Sequence, residues 1–276
     1  LLLIIPLLTH FPESFMHYPG KALLRSLSAV FVLAFFVSSG LLAEEKPALS
    51  LEETVGLKTA SSALMSPNGD AIAYLLSVPR TLYEDKDGSA YRQLHVVTTE
   101  GVSRPYFSGK VSVSNVAWSP DGNSLLFTAK RDPAADFADI YRMPLIGGEA
   151  EVIYKAKTSI KSIHPSPDGK TIAFRASEPK PKENKQLKEK GFKAIVYEES
   201  DPLVHVWLLD IESGEAVAQD LAGSVSNVVW APGGDAYAVA MAPTPMIDDE
   251  YMESDIFVVS ASDAKIRNQM GSTGKM

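Results

Sequence analysis

The sequence contains no cysteine among its 276 residues. This absence excludes disulfide bonds, thiolate metal sites, a cysteine nucleophile and lipid attachment through cysteine. Basic residues are also too few for a general nucleic-acid-binding protein, which presents a basic face. The 26 Lys and Arg residues stand against 34 Asp and Glu residues, for a net charge of −8. With 45% hydrophobic and 22% charged residues, the composition is otherwise that of a globular protein.

The N-terminal part of the chain has the order of a secretory signal. A stretch containing Lys21 and Arg25 precedes the uncharged segment Leu27–Ala43, which is 17 residues long and shorter than the ~20 residues of a membrane helix. Small residues then lead to an acidic pair. This order predicts a signal peptide over 16–43, cleaved at its end, within a leader that covers 1–43. An uncleaved membrane anchor is the alternative.

One short segment recurs four times after residue 55. The copies are Leu64-Met-Ser-Pro-Asn-Gly69, Ala117-Trp-Ser-Pro-Asp-Gly122, Pro165-Ser-Pro-Asp-Gly169 and Val229-Trp-Ala-Pro-Gly-Gly234. Proline presets φ for a tight turn, Asp or Asn bonds the local backbone, and glycine accepts positive φ. Runs of alternating or β-branched apolar residues flank the turns. Each copy therefore predicts a strand, a tight turn and a second strand.

Two further strands follow each hairpin, so each unit is predicted to be a four-stranded antiparallel meander. The third strands begin at Leu94, Ile140, Val206 and Ile256, and a weaker fourth strand follows each of them. Such repeats build propeller blades. A β-sandwich, the competing fold, does not repeat one turn sequence at matching positions.

The predicted fold class is therefore all-β, a β-propeller with four WD40-like (PD40-type) blades. This repeat more often occurs in larger rings, which favours an incomplete seven- or eight-bladed ring. The partial propeller is predicted to cover 44–276, with blades at about 55–110, 111–157, 158–223 and 224–276.

The repeats differ in length mainly between their second and third strands. The extra residues of the first and third units fall at one end of the blade, where insertions often build a binding surface. The lysine-rich segment 180–193 is predicted to be a solvated loop or short helix. The acidic segment 246–255 is predicted to be an exposed loop, with calcium binding as the less favoured alternative.

The Trp-Ser-Pro-Asp-Gly repeat resembles two families. One is the periplasmic propeller of the Tol system, and the other is the prolyl oligopeptidase family of serine peptidases, in particular its dipeptidyl and acylaminoacyl branches. The segment Leu51–Leu57 looks like the lead-in helix of those peptidases. The charged insertion of the third unit ends in 194–200 and is followed by 205–214, an order that is similar to the same branch. The resemblance covers about 50–270 and favours the peptidases.

That resemblance implies an N-terminal propeller followed by an α/β-hydrolase domain that carries the catalytic residues. No G-x-S-x-G nucleophile motif occurs in this sequence, so no catalytic residue is assigned to it. The expected function is that of a non-catalytic propeller fragment of an exported, periplasmic or extracellular serine peptidase, which gates or orients peptide substrates for the missing hydrolase domain. A Tol-like scaffold that binds protein partners is the alternative. Membrane contact is expected only through an uncleaved leader, and nucleic acid is not an expected partner.

Glu198 and Glu199 are the candidate substrate-binding residues. In dipeptidyl peptidases of this family, a propeller Glu pair binds the free amino terminus of the substrate, and the resemblance implies the same role for this pair. Two adjacent carboxylates suit an ammonium group. The alternative is a solvated edge of the insertion that balances its lysines. No cofactor or metal is expected, since His95, His164 and His205 have no metal-ligand spacing.

Overall fold

The structure, a computed structural model, describes most of the chain after residue 47. The described residues are 48–132, 135–179, 182–192, 194 and 201–271. The predicted leader and signal peptide therefore lie outside the described residues. The helices are α1 (Leu51–Val55), α2 (Lys182–Glu189) and α3 (Ile247–Met252). In chain order the strands are β1 (Thr59–Met65), β2 (Ala71–Val78), β3 (Tyr91–Thr98), β4 (Ser103–Phe107), β5 (Val113–Trp118), β6 (Ser124–Ala129), β7 (Asp139–Pro144), β8 (Glu151–Tyr154), β9 (Ile160–Pro165), β10 (Thr171–Ser177), β11 (Val204–Asp210), β12 (Ala216–Ala218), β13 (Ser224–Trp230), β14 (Ala236–Ala242), β15 (Asp255–Ser260) and β16 (Ile266–Met270).

These strands form four separate four-stranded sheets, each made of four strands that are consecutive in the chain. All pairs of neighbouring strands within a sheet are antiparallel. The predicted fold class, an all-β propeller of four-stranded blades, is thereby confirmed. Blade 1 holds β1–β4, blade 2 holds β5–β8, blade 3 holds β9–β12 and blade 4 holds β13–β16. Over the described residues the blades form no closed barrel, which is consistent with an incomplete ring.

The repeated turn has nearly the same geometry in every blade. The amide of the turn glycine donates to the carbonyl three residues earlier, at 2.9–3.0 Å in all four copies. Gly69, Gly122, Gly169 and Gly234 have φ between +70° and +74°, a region that glycine enters without steric cost. The turn thereby reverses the chain between the first and second strands, and it does so in the same way in every blade.

Blades 1 and 2 are joined by an aromatic cluster. Phe127 is fully buried on β6 and faces blade 1. Its ring centroid lies 5.6 Å from that of Tyr141 in a stacked arrangement and 5.2 Å from that of Phe107 on β4 of blade 1. Such ring pairs add to the burial of apolar area. The packing between the sheets thus rests on side chains that point to one face of each blade.

The other two junctions follow from strand alternation. In β10, Ile172 and Phe174 pack with Leu126 and Ile140 of blade 2, whereas Ala173 packs with residues of blade 4. Successive side chains of a strand point to opposite faces. Blades 2 and 3 therefore each pack the apolar side chains of one sheet face against the preceding blade and those of the other face against the next blade.

Blade 4 carries an apolar face on the side away from blade 3. Val229, Ala238 and Val258 are opposite one another across β13, β14 and β15, and Ile256 is opposite Met270 on β16. Val229, Ile256 and Met270 remain 58%, 46% and 59% exposed. The described residues thus leave uncovered a sheet face of the kind that packs against a neighbouring blade elsewhere in the molecule.

We expect the 276-residue chain to self-associate through this face at micromolar concentration, because exposed apolar sheet surfaces associate. The substitution Ile256→Lys places a charge in its centre and should shift the population towards monomer, as measured by light scattering after size exclusion. Val217→Lys is the matched control, since Val217 is equally apolar and 62% exposed on β12. A monodisperse wild-type monomer, or an equal effect of the control, would contradict this expectation.

The helices differ in part from the sequence-based expectations. A helix begins the described domain at Leu51, where the resemblance implied a lead-in helix, and α2 occupies the lysine-rich insertion. The acidic segment 246–255, predicted to be an exposed loop, instead contains α3. Asp248, Asp249 and Glu250 occupy the first turn of α3, where carboxylates favour helix formation through the helix dipole.

Candidate functional site

A cleft opens between blades 3 and 4 on the face that carries the insertions. In an antiparallel meander the connections alternate between two ends. The β2–β3, β10–β11 and β14–β15 connections therefore lie at the same end of their blades as the start of each blade's first strand. The cleft has a volume of about 280 Å³. Its lining residues are Arg175, Val204, Ser224, Val225, Ser226, Ala242, Thr244, Pro245 and Glu250.

Arg175 is the cationic group of the cleft. It lies on β10, on the face turned towards blade 4. Its Nε donates to Oγ of Ser162 at 2.8 Å, and its Nη1 donates to the carbonyl oxygen of Val225 at 3.0 Å. These two bonds connect the guanidinium to its own blade and to the first strand of the next blade. The side chain is thereby held in one orientation at the junction.

Arg175 is partly buried and has no bonded counter-ion among the described residues. Burial lowers the pKa of the Arg175 guanidinium, and the nearby carboxylate of Glu250 acts in the opposite direction. No ion pair within 4 Å joins the two groups among the described residues. The cation is thus partly desolvated without a directly bonded counter-ion, an arrangement that favours an incoming anion.

Ser162 links Arg175 to a half-buried histidine. Oγ of Ser162 lies 2.9 Å from Nε2 of His164 while accepting the bond from Arg175. Burial first, and the charge of Arg175 second, lower the pKa of His164 to about 4. The imidazole is therefore neutral at pH 7, and its Nε2 is hydrogen-bonded to the serine hydroxyl. A serine and a histidine at this distance resemble a nucleophile and its base, but a base with this pKa is a weak one.

The rim of the cleft is shaped by α3 and the residues before it. Oγ1 of Thr244 donates to Asp249 Oδ2 at 2.6 Å and accepts a bond from the amide of Met246 at 3.2 Å. These bonds fix the start of α3, which carries the exposed Glu250. The acidic segment thus supplies one carboxylate to the cleft. Among the residues the structure describes, no group of three or more His, Cys, Asp or Glu side chains has a metal-binding arrangement.

A second polar cluster, on blade 1, has its groups engaged with one another. Arg80 donates to the carbonyls of Ser89 and Lys86, and its guanidinium lies 4.5 Å from the ring centroid of Tyr91. Asp85 pairs with Lys110 at 2.5 Å, and this bond lowers the pKa of Asp85. The cluster orders the β2–β3 insertion, and we assign it no ligand.

The sequence-predicted pair, Glu198 and Glu199, lies outside the described residues, so its predicted role remains a prediction. The insertion that contains the pair leaves β10 after Ser177 and enters β11 at Val204, and Val204 lines the cleft. At its described base, Nε2 of His205 lies 2.8 Å from a carboxylate oxygen of Glu178. Lys182–Glu189, in the same insertion, is the helix α2.

Sequence reasoning missed Arg175, although the repeats contain a signal for it. The positions that follow Tyr74, Phe127, Phe174 and Val239 are equivalent in the four hairpins. They hold Leu75, Thr128, Arg175 and Ala240. A single arginine at a position otherwise held by small or apolar residues marks a departure from the repeat, and departures of this kind are expected at functional sites.

Comparisons with known proteins identify the fold. No family model matches the chain, and no curated protein matches it either. Among solved structures, puromycin hydrolase is 17% identical with a TM-score of 0.52, over 78% of this chain and 29% of that one. Pyrococcus horikoshii acylaminoacyl peptidase is 16% identical with a TM-score of 0.56, over 78% of this chain and 33% of that one. The β-propeller domain of the trilobed protease from Pyrococcus furiosus is 17% identical with a TM-score of 0.53, over 78% of this chain and 57% of that one.

These likenesses establish the β-propeller architecture, because at such low identity structural similarity shows the fold alone. The chain spans about a third of the length of the first two proteins. In the described part of the chain, every helix is too short or too polar to cross a membrane.

Proposed function

We propose that this chain is the propeller part of an exported serine peptidase, in which it binds and orients peptide substrates without cleaving them. The cleft between blades 3 and 4 is the observation that carries the proposal. It places an incompletely bonded guanidinium next to serine and threonine hydroxyls on the face that bears the insertions. The propeller fold shared with peptidase structures supports the same role, and bond cleavage is assigned to a hydrolase domain.

The chemistry of the cleft suits a peptide better than a purely apolar ligand. An extended peptide presents carbonyl oxygens and carboxylates, which accept hydrogen bonds from arginine. Ser226 and Thr244 add hydroxyls, and Val225 and Pro245 add small apolar surfaces. Ligand sites of this kind combine apolar walls with a few oriented polar groups.

Glu198 and Glu199 are proposed to bind the substrate's free amino terminus. Their insertion joins the core at Val204, on the cleft wall. The Tol-like scaffold, the alternative function, has no observation in its favour that the peptidase does not share.

The test uses the complete gene product and dipeptide substrates with a free or an acetylated amino terminus. We expect hydrolysis of the free-amine substrates, and we expect the double substitution Glu198→Gln and Glu199→Gln to raise KM about tenfold for them, since two charge-assisted bonds to the ammonium are weakened. The value of kcat should change little. The acetylated substrates serve as the internal control, because they lack the ammonium group.

The outcomes separate the two parts of the proposal. Absence of peptide hydrolysis by the complete gene product would overturn the peptidase assignment. Hydrolysis with an unchanged KM in the double variant would leave that assignment standing and exclude the Glu pair as the amino-terminus site.

A further inference from the structure

We infer that Arg175 is a carboxylate-binding residue and that the cleft receives one singly charged carboxylate of a peptide, either its C-terminus or an acidic side chain. This inference rests on the proposed peptide-binding function and names the group that is recognised. The role proposed for Glu198 and Glu199 is a different one, because they are proposed to bind a positively charged amino terminus.

Arg175 has hydrogen-bond donors that the described residues do not use. A guanidinium has five N–H donors, and the described residues accept from two of them, through Ser162 and Val225. The other three donors have no acceptor among the described residues. No fully buried side-chain nitrogen or oxygen there lacks a partner, so Nη2 is not fully buried. A fixed guanidinium with free donors has the geometry for a carboxylate.

Packing of the blades does not need a cation at the position of Arg175. At the equivalent positions of blades 2 and 4, Thr128 bonds within its own blade and Ala240 has no side-chain donor. The junction of blades 3 and 4 already contains a buried apolar cluster with Val206, Tyr237 and Val239. Burial of a charge costs free energy, and the single hydrogen bond from Arg175 to the Val225 carbonyl offsets only part of that cost.

Glu250 is the second charged residue of the cleft, and its negative charge raises the pKa of Arg175. A carboxylate that enters the cleft is repelled by Glu250, so direct bonds to the free donors of Arg175 must hold it.

The first experiment titrates the 276-residue chain with N-acetyl-trialanine as the free acid and as the carboxamide, followed by ligand-observed NMR. The acid should bind at least about fivefold more tightly than the amide, and Arg175→Gln should weaken acid binding about tenfold or more. The amide's affinity should change little. Arg142→Gln is the matched control, because Arg142 pairs with Glu151 on the surface of blade 2.

A further arm distinguishes the two sources of the carboxylate. N-acetyl-Ala-Glu-Ala carboxamide carries its only carboxylate on a side chain. Binding of the free-acid trialanine alone assigns a peptide C-terminus, binding of the Glu peptide alone assigns an acidic side chain, and either supports the inference. Failure of both carboxylates to bind more tightly than trialanine carboxamide overturns it.

A second variant keeps the inference testable if Arg175→Gln does not fold. Glu250→Gln removes the opposing charge and should tighten acid binding about two- to fivefold, whereas Glu253→Gln, one turn further along the chain and not in the cleft lining, should not. Failure of both carboxylate peptides to bind more tightly than the carboxamide overturns the Arg175 assignment but leaves the hydrolysis test of the proposed function unaffected.

Discussion

Replacing Phe127 by alanine is expected to lower the free energy of unfolding by about 3–5 kcal/mol, the cost typical of removing a buried aromatic ring. The side chain is fully buried and contacts the rings of Phe107 and Tyr141. Its loss opens a cavity between two blades, and the backbone of each blade is held in place by its own sheet. Urea unfolding can be followed by fluorescence of the three tryptophans.

Two further substitutions make the result interpretable. Phe127→Leu keeps most of the volume and should cost less than the alanine change. Ile146→Ala removes an apolar side chain that is 97% exposed and should change stability by no more than about 0.5 kcal/mol. A loss below about 1 kcal/mol for Phe127→Ala would show that the interface between blades 1 and 2 does not stabilise the fold as described.

The second large effect expected is a loss of stability in mild acid caused by His164. The pKa of His164 in the folded protein is about 4, whereas the ordinary value is 6.5. Between these two pH values the unfolded chain binds a proton that the folded chain does not, so the histidine's contribution is complete above pH 6.5 and is lost as the pH falls towards 4.

The size of this effect follows from the difference in pKa. At pH 5 the loss is at most about 2 kcal/mol, and solvent screening of a half-buried group reduces it to about 1–2 kcal/mol. The measurement is the difference in unfolding free energy between pH 7.5 and pH 5 for the wild type and for His164→Gln. The variant should show a smaller difference by this amount. Equal pH dependence of the two proteins would show that His164 is not buried against Arg175.

The propeller fold could be predicted from the sequence because its signals are local. Gly69 and its three equivalents enter positive φ at the same turn position, and that position is visible in the repeated Ser-Pro-Asp-Gly segment. Alternation of apolar residues then identifies strands without knowledge of their partners. The third-strand positions, including Val206 and Ile256, belong to the same local pattern.

The cleft could not be predicted in the same way because it depends on which blade faces meet. Arg175 reaches the cleft only because β10 turns its odd-numbered residues towards blade 4. The acceptor of its hydrogen bond, the carbonyl of Val225, lies 50 residues later in the chain. Glu250 is brought to the rim by α3, whose short acidic sequence has no apolar periodicity from which to predict a helix. Long-range side-chain geometry thus sets the site.

The order of strands has a consequence for how this protein folds. Every sheet is assembled from four strands that are consecutive in the chain, so each blade resembles a unit of a linear array. In such arrays stability is approximately a sum of unit and nearest-neighbour terms, and short-range contacts favour rapid folding. Blade 1 therefore has all its strands available soon after residue 107 leaves the ribosome, and each later blade has a completed template on which to pack.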